Sequence, residues 1–326
     1  MNPPSRLRPM SISDMLDTAF RMYRQHFLTF IGIVALLQVP MAMLQFLAQL
    51  PYLQALQGFT ARPPAIAPGQ SPFDIFPFAQ LLPYYALIIG LSIVQYLLVY
   101  NLMAGALANA ISRSYLGQPI SILSAYKIGF RRILSLIVAS LTPLAISLVF
   151  VAILAGCVFG AISTLGVRSG QQPNIGLAIA AIFGLFGLAL LVLVPVALFF
   201  YVRLLLATQA IILEELGPFA GLARSWRLVG QAFWRSLGVV LLVYVFVYIV
   251  SLVVQLPLVV MGAFFGMLFN NSMLYQGIAS LVTYGALIFV LPLQFIIFTL
   301  LYYDLRIRKE GYDLEQLAQA QQAAAL

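Results

Sequence analysis

Nine acidic residues are available for chemistry: Asp14, Asp17, Asp74, Glu214, Glu215, Asp304, Glu310, Asp313 and Glu315. General acid–base hydrolysis would need two of them facing one another with separated pKa values. All except Asp74 are expected on one side of a membrane, where basic neighbours such as Arg21, Arg306 and Arg308 can neutralise several of them. The chain holds one histidine, His26, and one cysteine, Cys157, which excludes an internal disulfide, a thiol pair and a multi-ligand zinc site. No nucleophile elbow, phosphate loop or metal-ligand spacing is present. The reading is therefore non-enzymatic, without metal or cofactor.

Non-covalent recognition is what remains, and the basic residues carry it. Arg21, Arg24, Lys127, Arg131, Arg132, Arg224, Arg227, Arg235, Arg306, Arg308 and Lys309 all lie beside long apolar runs. Near an anionic surface each such cation contributes roughly 1 kcal/mol, so these eleven are the expected contacts with lipid headgroups or a protein partner. Within the apolar runs, Gln95, Asn101 and Gln294 are the polar residues of interest, with Gln38, Gln45, Asn109, Gln209 and Gln255 of the same kind. Their simplest role is interhelical hydrogen bonding worth around 0.6 to 2 kcal/mol each; lining a substrate path is the alternative.

The elements that must position these residues are set by composition. Of 326 residues 63% are apolar and 8% charged, and the mean hydropathy is +1.01. A soluble domain carries about 25% charged residues. The net charge of +8 on such a chain does not describe a nucleic-acid binder. Six charge-poor runs reach the length of about 20 residues that a bilayer requires: Phe27–Leu50, Leu81–Ile111, Ile133–Thr164, Gly176–Thr208, Leu237–Leu268 and Gly277–Leu301. The expected fold is an all-α, polytopic membrane protein forming a single integral membrane domain over residues 1–326. Arg6 and Arg8 with a long first run argue against a cleavable signal. Of the 17 basic residues only Arg62 and Arg168 fall on the opposite side, so both termini are expected in the cytoplasm of a bacterial inner (plasma) membrane. Phe59–Pro77 is then an external loop.

Each run contains a proline: Pro40, Pro83, Pro143, Pro195, Pro257 and Pro292. Each removes a helical hydrogen bond and kinks its span. Gly156/Gly160 and Gly262/Gly266 are small-xxx-small pairs expected at close helix contacts.

Self-similarity organises the whole chain. Pro9, Pro119 and Pro218 each open a segment leading into an odd-numbered span; Phe20-Arg21 echoes both Phe130-Arg131 and Trp226-Arg227, while Tyr126-Lys127 also resembles Trp226-Arg227, so the phase of the repeat is open by about one helical turn. Three repeat units follow, approximately residues 9–111, 119–208 and 218–301, each an amphipathic cytoplasmic helix plus a helical hairpin, with a tail over residues 302–326. In the first helix, Ile12, Met15, Leu16, Ala19, Phe20, Tyr23 and Phe27 form one apolar stripe, and Ser11 with Asp14 forms a cap. In the third, Phe219, Leu222, Trp226, Val229 and Phe233 form the stripe. Such helices belong at headgroup level. Span six is expected to continue as a helix to Glu310 and break at Gly311, with an exposed Asp304–Arg308 pair and a second helix over Asp313–Ala325.

The segments Leu7–Phe27, Ala223–Trp234 and Tyr302–Leu314 resemble the membrane domain of bacterial glycerophosphoryl diester phosphodiesterases and its stand-alone relatives. That resemblance implies a membrane-resident, lipid-facing module without a catalytic barrel. The expected function is a non-catalytic integral membrane protein that interacts with membrane lipids or scaffolds a membrane or cytoplasmic partner. The alternative is a transporter or flippase-like carrier of an apolar or lipidic substrate.

Overall fold

A computed structural model describes residues 9–61, 78–166, 175–269 and 272–311. Most of the expected loop Phe59–Pro77 and the expected tail helix Asp313–Ala325 lie outside them. Among the described residues the structure is helical with no strand, and six helices are long and apolar enough to cross a membrane.

Three short helices, α1 (Ile12–Gln25), α5 (Ile122–Arg131) and α9 (Pro218–Gly230), each lead within one or two residues into a long one. Those are α2 (Phe27–Ala61), α6 (Ile133–Gly166) and α10 (Phe233–Phe269). The second span comprises α3 (Phe78–Val94), a π-helical turn (Gln95–Tyr100) and α4 (Asn101–Tyr115). The fourth comprises α7 (Ile175–Leu204) and α8 (Ala207–Leu213), and the sixth is α11 (Ser272–Glu310).

Local chemistry explains the boundaries. Ser11 caps α1 by accepting the Asp14 amide at 3.1 Å while the Asp14 carboxylate accepts the Ser11 amide at 3.1 Å. At the other end of the second span, Gly117 (φ +73°) closes α4: its amide donates to Ser114 O, and that of Gln118 to Arg113 O. This six-to-one closure needs a left-handed residue, which glycine supplies without strain. Prolines do not stop the long helices. Pro51 lies inside α2, which runs on to Ala61 past the expected end at Leu50. As expected, α11 continues to Glu310 and Gly311 (φ +63°) ends it.

Contacts divide the chain into two compact groups, Met1–Ile133 with Gly238–Leu326, and Leu134–Leu237. In the first, α11 packs on α2, α1 and α4, and α4 packs on α5. In the second, α9 packs on α8 and α7. The short helix therefore always lies on the last turns of an even-numbered span: α5 on α4, α9 on α8, and α1 on α11.

The buried faces of the short helices differ from the expected apolar stripes. Met15, Ala19 and Met22 are buried in α1, Ala125 and Gly129 in α5, and Gly221, Ser225, Leu228 and Val229 in α9, whereas Phe20, Phe27, Phe130 and Phe219 are exposed. The reason is the solvent. Where lipid surrounds the protein, large apolar side chains have no drive to turn inward, and small residues permit close backbone approach. A Cβ on Gly129 would stand 3.2 Å from Leu102 O and 3.3 Å from the Ala106 amide nitrogen.

Candidate functional site

Each short helix places an aromatic residue directly before a cation, and both are exposed, although the Trp226 ring also packs against the fold. Phe20 is 41% exposed, Phe130 65% and Trp226 36%, and the Arg21, Arg131 and Arg227 that follow them are exposed as well. An aromatic face beside a guanidinium suits the boundary between acyl chains and phosphates.

The first of these pairs sits in a cleft. Asp17, Phe20, Arg21, Arg24 and Gln25 line an open depression of about 610 Å³ on α1. Among the described residues neither Arg21 nor Arg24 is held in an ion pair, so both guanidiniums offer their donors outward. The rest of α1 is fixed: Tyr23 donates to Phe289 O at 2.8 Å, and Phe20 meets Phe246 edge-on at 6.0 Å. Partial burial raises the Tyr23 pKa, keeping its hydroxyl a donor.

On α5, Lys127 and Arg131 are exposed, while Arg132 is half-buried at the helix end. Tyr126, whose pKa burial also raises, donates to Ile33 O and ties α5 to α2. Asn109 Nδ2 reaches Ser124 O at 3.5 Å, from α4 to α5. On α9, Arg227 is exposed and Arg235, at the start of α10, is half-buried. Arg224 is engaged internally: its Nε and Nη2 clasp the Glu214 carboxylate at 2.8 to 3.0 Å. Its residue type and place in the sequence suit a headgroup contact, but its geometry makes it a tie between α8 and α9.

The tail residues are likewise committed. Arg308 Nε holds both oxygens of Asp304, at 3.0 and 3.1 Å, and Arg306 pairs with Glu310 at 3.4 Å, while Lys309 is half-buried. The exposure expected of the Asp304–Arg308 pair is not found at the acid. Asp304 is fully buried and also accepts the Met10 amide at 2.8 Å, while Arg308 Nη2 donates to Met10 O at 2.8 Å. The pair sinks because the segment before α1 lies across it.

Arg203, in the last turn of α7, is an anchor. Its guanidinium stacks on Trp226 (4.8 Å to the ring centroid) and Phe199 (5.2 Å), and Nη1 donates to Trp226 O at 3.2 Å. The signal in the sequence is Phe199-Phe200, one helical turn before the arginine.

The intramembrane amides work within the bundle. Gln95 donates to Gln38 Oε1 at 3.0 Å, joining the second span to the first. Asn101 Nδ2 donates to Tyr96 O and Leu97 O, at 3.2 and 3.0 Å, satisfying carbonyls of the π turn. Gln294 is buried. Among the described residues no group of three potential metal ligands occurs.

No curated protein and no solved structure matches the chain. A family does match, over residues 10–305, and so takes in all three short helices and nearly all of the six long apolar ones. The chain belongs to the family described as a domain of unknown function, DUF7847.

Proposed function

We propose that this is a non-catalytic protein of the bacterial inner membrane, with both termini cytoplasmic, whose three short helices engage anionic lipid headgroups. The observation that carries the reading is the exposed aromatic–cation pair on every short helix: Phe20-Arg21, Phe130-Arg131 and Trp226-Arg227. An even number of spans separates these helices, so they share one side, the side that basic residues select as cytoplasmic. The same face can seat a membrane or cytoplasmic partner.

A threefold repeat of short helix plus hairpin fits this reading. Its support is the packing order, in which α5 lies on α4, α9 on α8 and α1 on α11, so that the last span serves the first helix as each earlier one serves the next. Kinship with the glycerophosphoryl diester phosphodiesterase membrane domains rests on the sequence motifs alone.

The test is reconstitution into nanodiscs of equal phosphatidylglycerol and phosphatidylcholine, followed by analysis of the lipids retained on extraction. The wild type should enrich phosphatidylglycerol, and R21Q/R131Q/R227Q should lose most of that enrichment. Unchanged enrichment in a folded triple variant overturns the proposal. A carrier of an apolar or lipidic substrate is the second reading, favoured by the buried Gln95 Oε1 and Thr299 Oγ1, which have no hydrogen-bond partner among the described residues.

A further inference from the structure

The first, second and sixth spans each interrupt regular helix beside an amide. Gln38 stands two residues before Pro40 in α2, Gln95 opens the π turn of the second span, and Gln294 stands two residues after Pro292 in α11. These spans pack on one another, and the π turn touches both of the others. Gln95 donates to Gln38 Oε1 at 3.0 Å, and the ring of Tyr100, which ends the turn, meets that of Phe295, next to Gln294, at 5.7 Å. Gln38 lies about 16 Å along α2 from Phe27, and Gln95 is near the middle of the apolar stretch Gln80–Tyr115. At such depth, irregular backbone is tolerated where protein encloses it or where it lines a polar site.

The amide pair is only half used. Gln95 Oε1 is buried with no donor among the described residues, and Gln38, 3% exposed, has no acceptor there for its Nε2 hydrogens. The carbonyls loosened by the π turn do not serve it, since Asn101 Nδ2 already holds Tyr96 O and Leu97 O. What remains on offer is one acceptor and one donor, and turning both amides over leaves the same offer. A hydroxyl matches it, because it donates and accepts through a single oxygen. No charged residue lies in α2, in residues 78–112 or in α11 before Asp304, so nothing nearby would balance an ion. Independently of the headgroup reading, we propose that Gln38 and Gln95 bind one neutral hydroxyl group, which donates to Gln95 Oε1 and accepts from Gln38 Nε2. Water and a lipidic alcohol supply the same chemistry at this point.

A crystal structure of the full-length protein, at a resolution that resolves water, tests the site. Density for one oxygen is expected within about 3 Å of both Gln95 Oε1 and Gln38 Nε2, and Q38L/Q95L should lack it. Thermal unfolding in detergent separates the two sources, with 1-octanol compared against 1-methoxyoctane, which has no hydroxyl to donate. If the site takes a lipidic alcohol, octanol should raise the wild-type midpoint by roughly 2 to 4 °C over the ether, and Q38L/Q95L should erase that difference. If it holds water, the density is compact and the two additives act alike. Should Q38L/Q95L fail to fold, Q38M/Q95M removes both amides and keeps the side-chain length. Three results overturn the proposal: amides that turn to form two reciprocal bonds with no oxygen beside them, an oxygen that persists in the double variant, or an octanol effect that does. None of them involves Arg21, Arg131 or Arg227, so the nanodisc experiment decides the headgroup reading separately.

Discussion

Asp304 and Glu214 perform the same task at different depths. Each is an acid at the end of an even-numbered span, each is clasped by an arginine, and each secures a short helix or its lead-in. Asp304 is fully enclosed while its partner Arg308 is 39% exposed; Glu214 and Arg224 are each 17% exposed. What an ion pair is worth depends on what remains when one partner goes. Without Arg308, a fully enclosed carboxylate loses the Nε–H that both its oxygens share. Without Asp304, the arginine can turn toward water.

The α11–α1 junction should therefore respond asymmetrically and most strongly. Arg308→Gln is expected to cost on the order of 3 kcal/mol, more than Asp304→Asn, which still accepts the Met10 amide. Thermal unfolding in detergent measures both, and equal losses would contradict the argument. At the α8–α9 junction, Glu214→Gln and Arg224→Gln should cost about 1 kcal/mol each and alike, because the two side chains are equally enclosed. A double-mutant cycle that finds no coupling would remove the pair from the account. The weakest tie is at the α4–α5 junction, where Arg113 reaches Ser124 Oγ at 3.4 Å. Arg113→Gln should shift stability by less than about 0.5 kcal/mol, since close packing at Gly129 holds that junction; Gly129→Leu in the same assay should cost about 1 to 3 kcal/mol.

The six long helices were legible because hydrocarbon demands about 20 apolar residues and the chain supplies them six times. The Ser11–Asp14 cap and the stop at Gly311 were legible because they are local. The burial of Asp304 was not, since it depends on Met10, which lies 294 residues away. Nor was the division of each stripe between buried and exposed members: Met15, Ala19 and Val229 are enclosed, while Phe20 and Trp226 of the same stripes are exposed. Arg224 shows the same limit, because its type fits a headgroup contact and only its position beside Glu214 assigns it to the fold.

The closure of α1 on α11 also has a consequence for how the chain is made. Met10 is synthesised early, and Asp304 follows 294 positions later. At roughly 5 to 20 residues per second the first helix waits about 15 to 60 s for its partner. During that interval its exposed phenylalanines and arginines give it somewhere to rest, on the membrane surface. On the headgroup reading, the same exposed face serves earlier as a mooring, and a truncation that removes the end of α11 leaves α1 without its final berth.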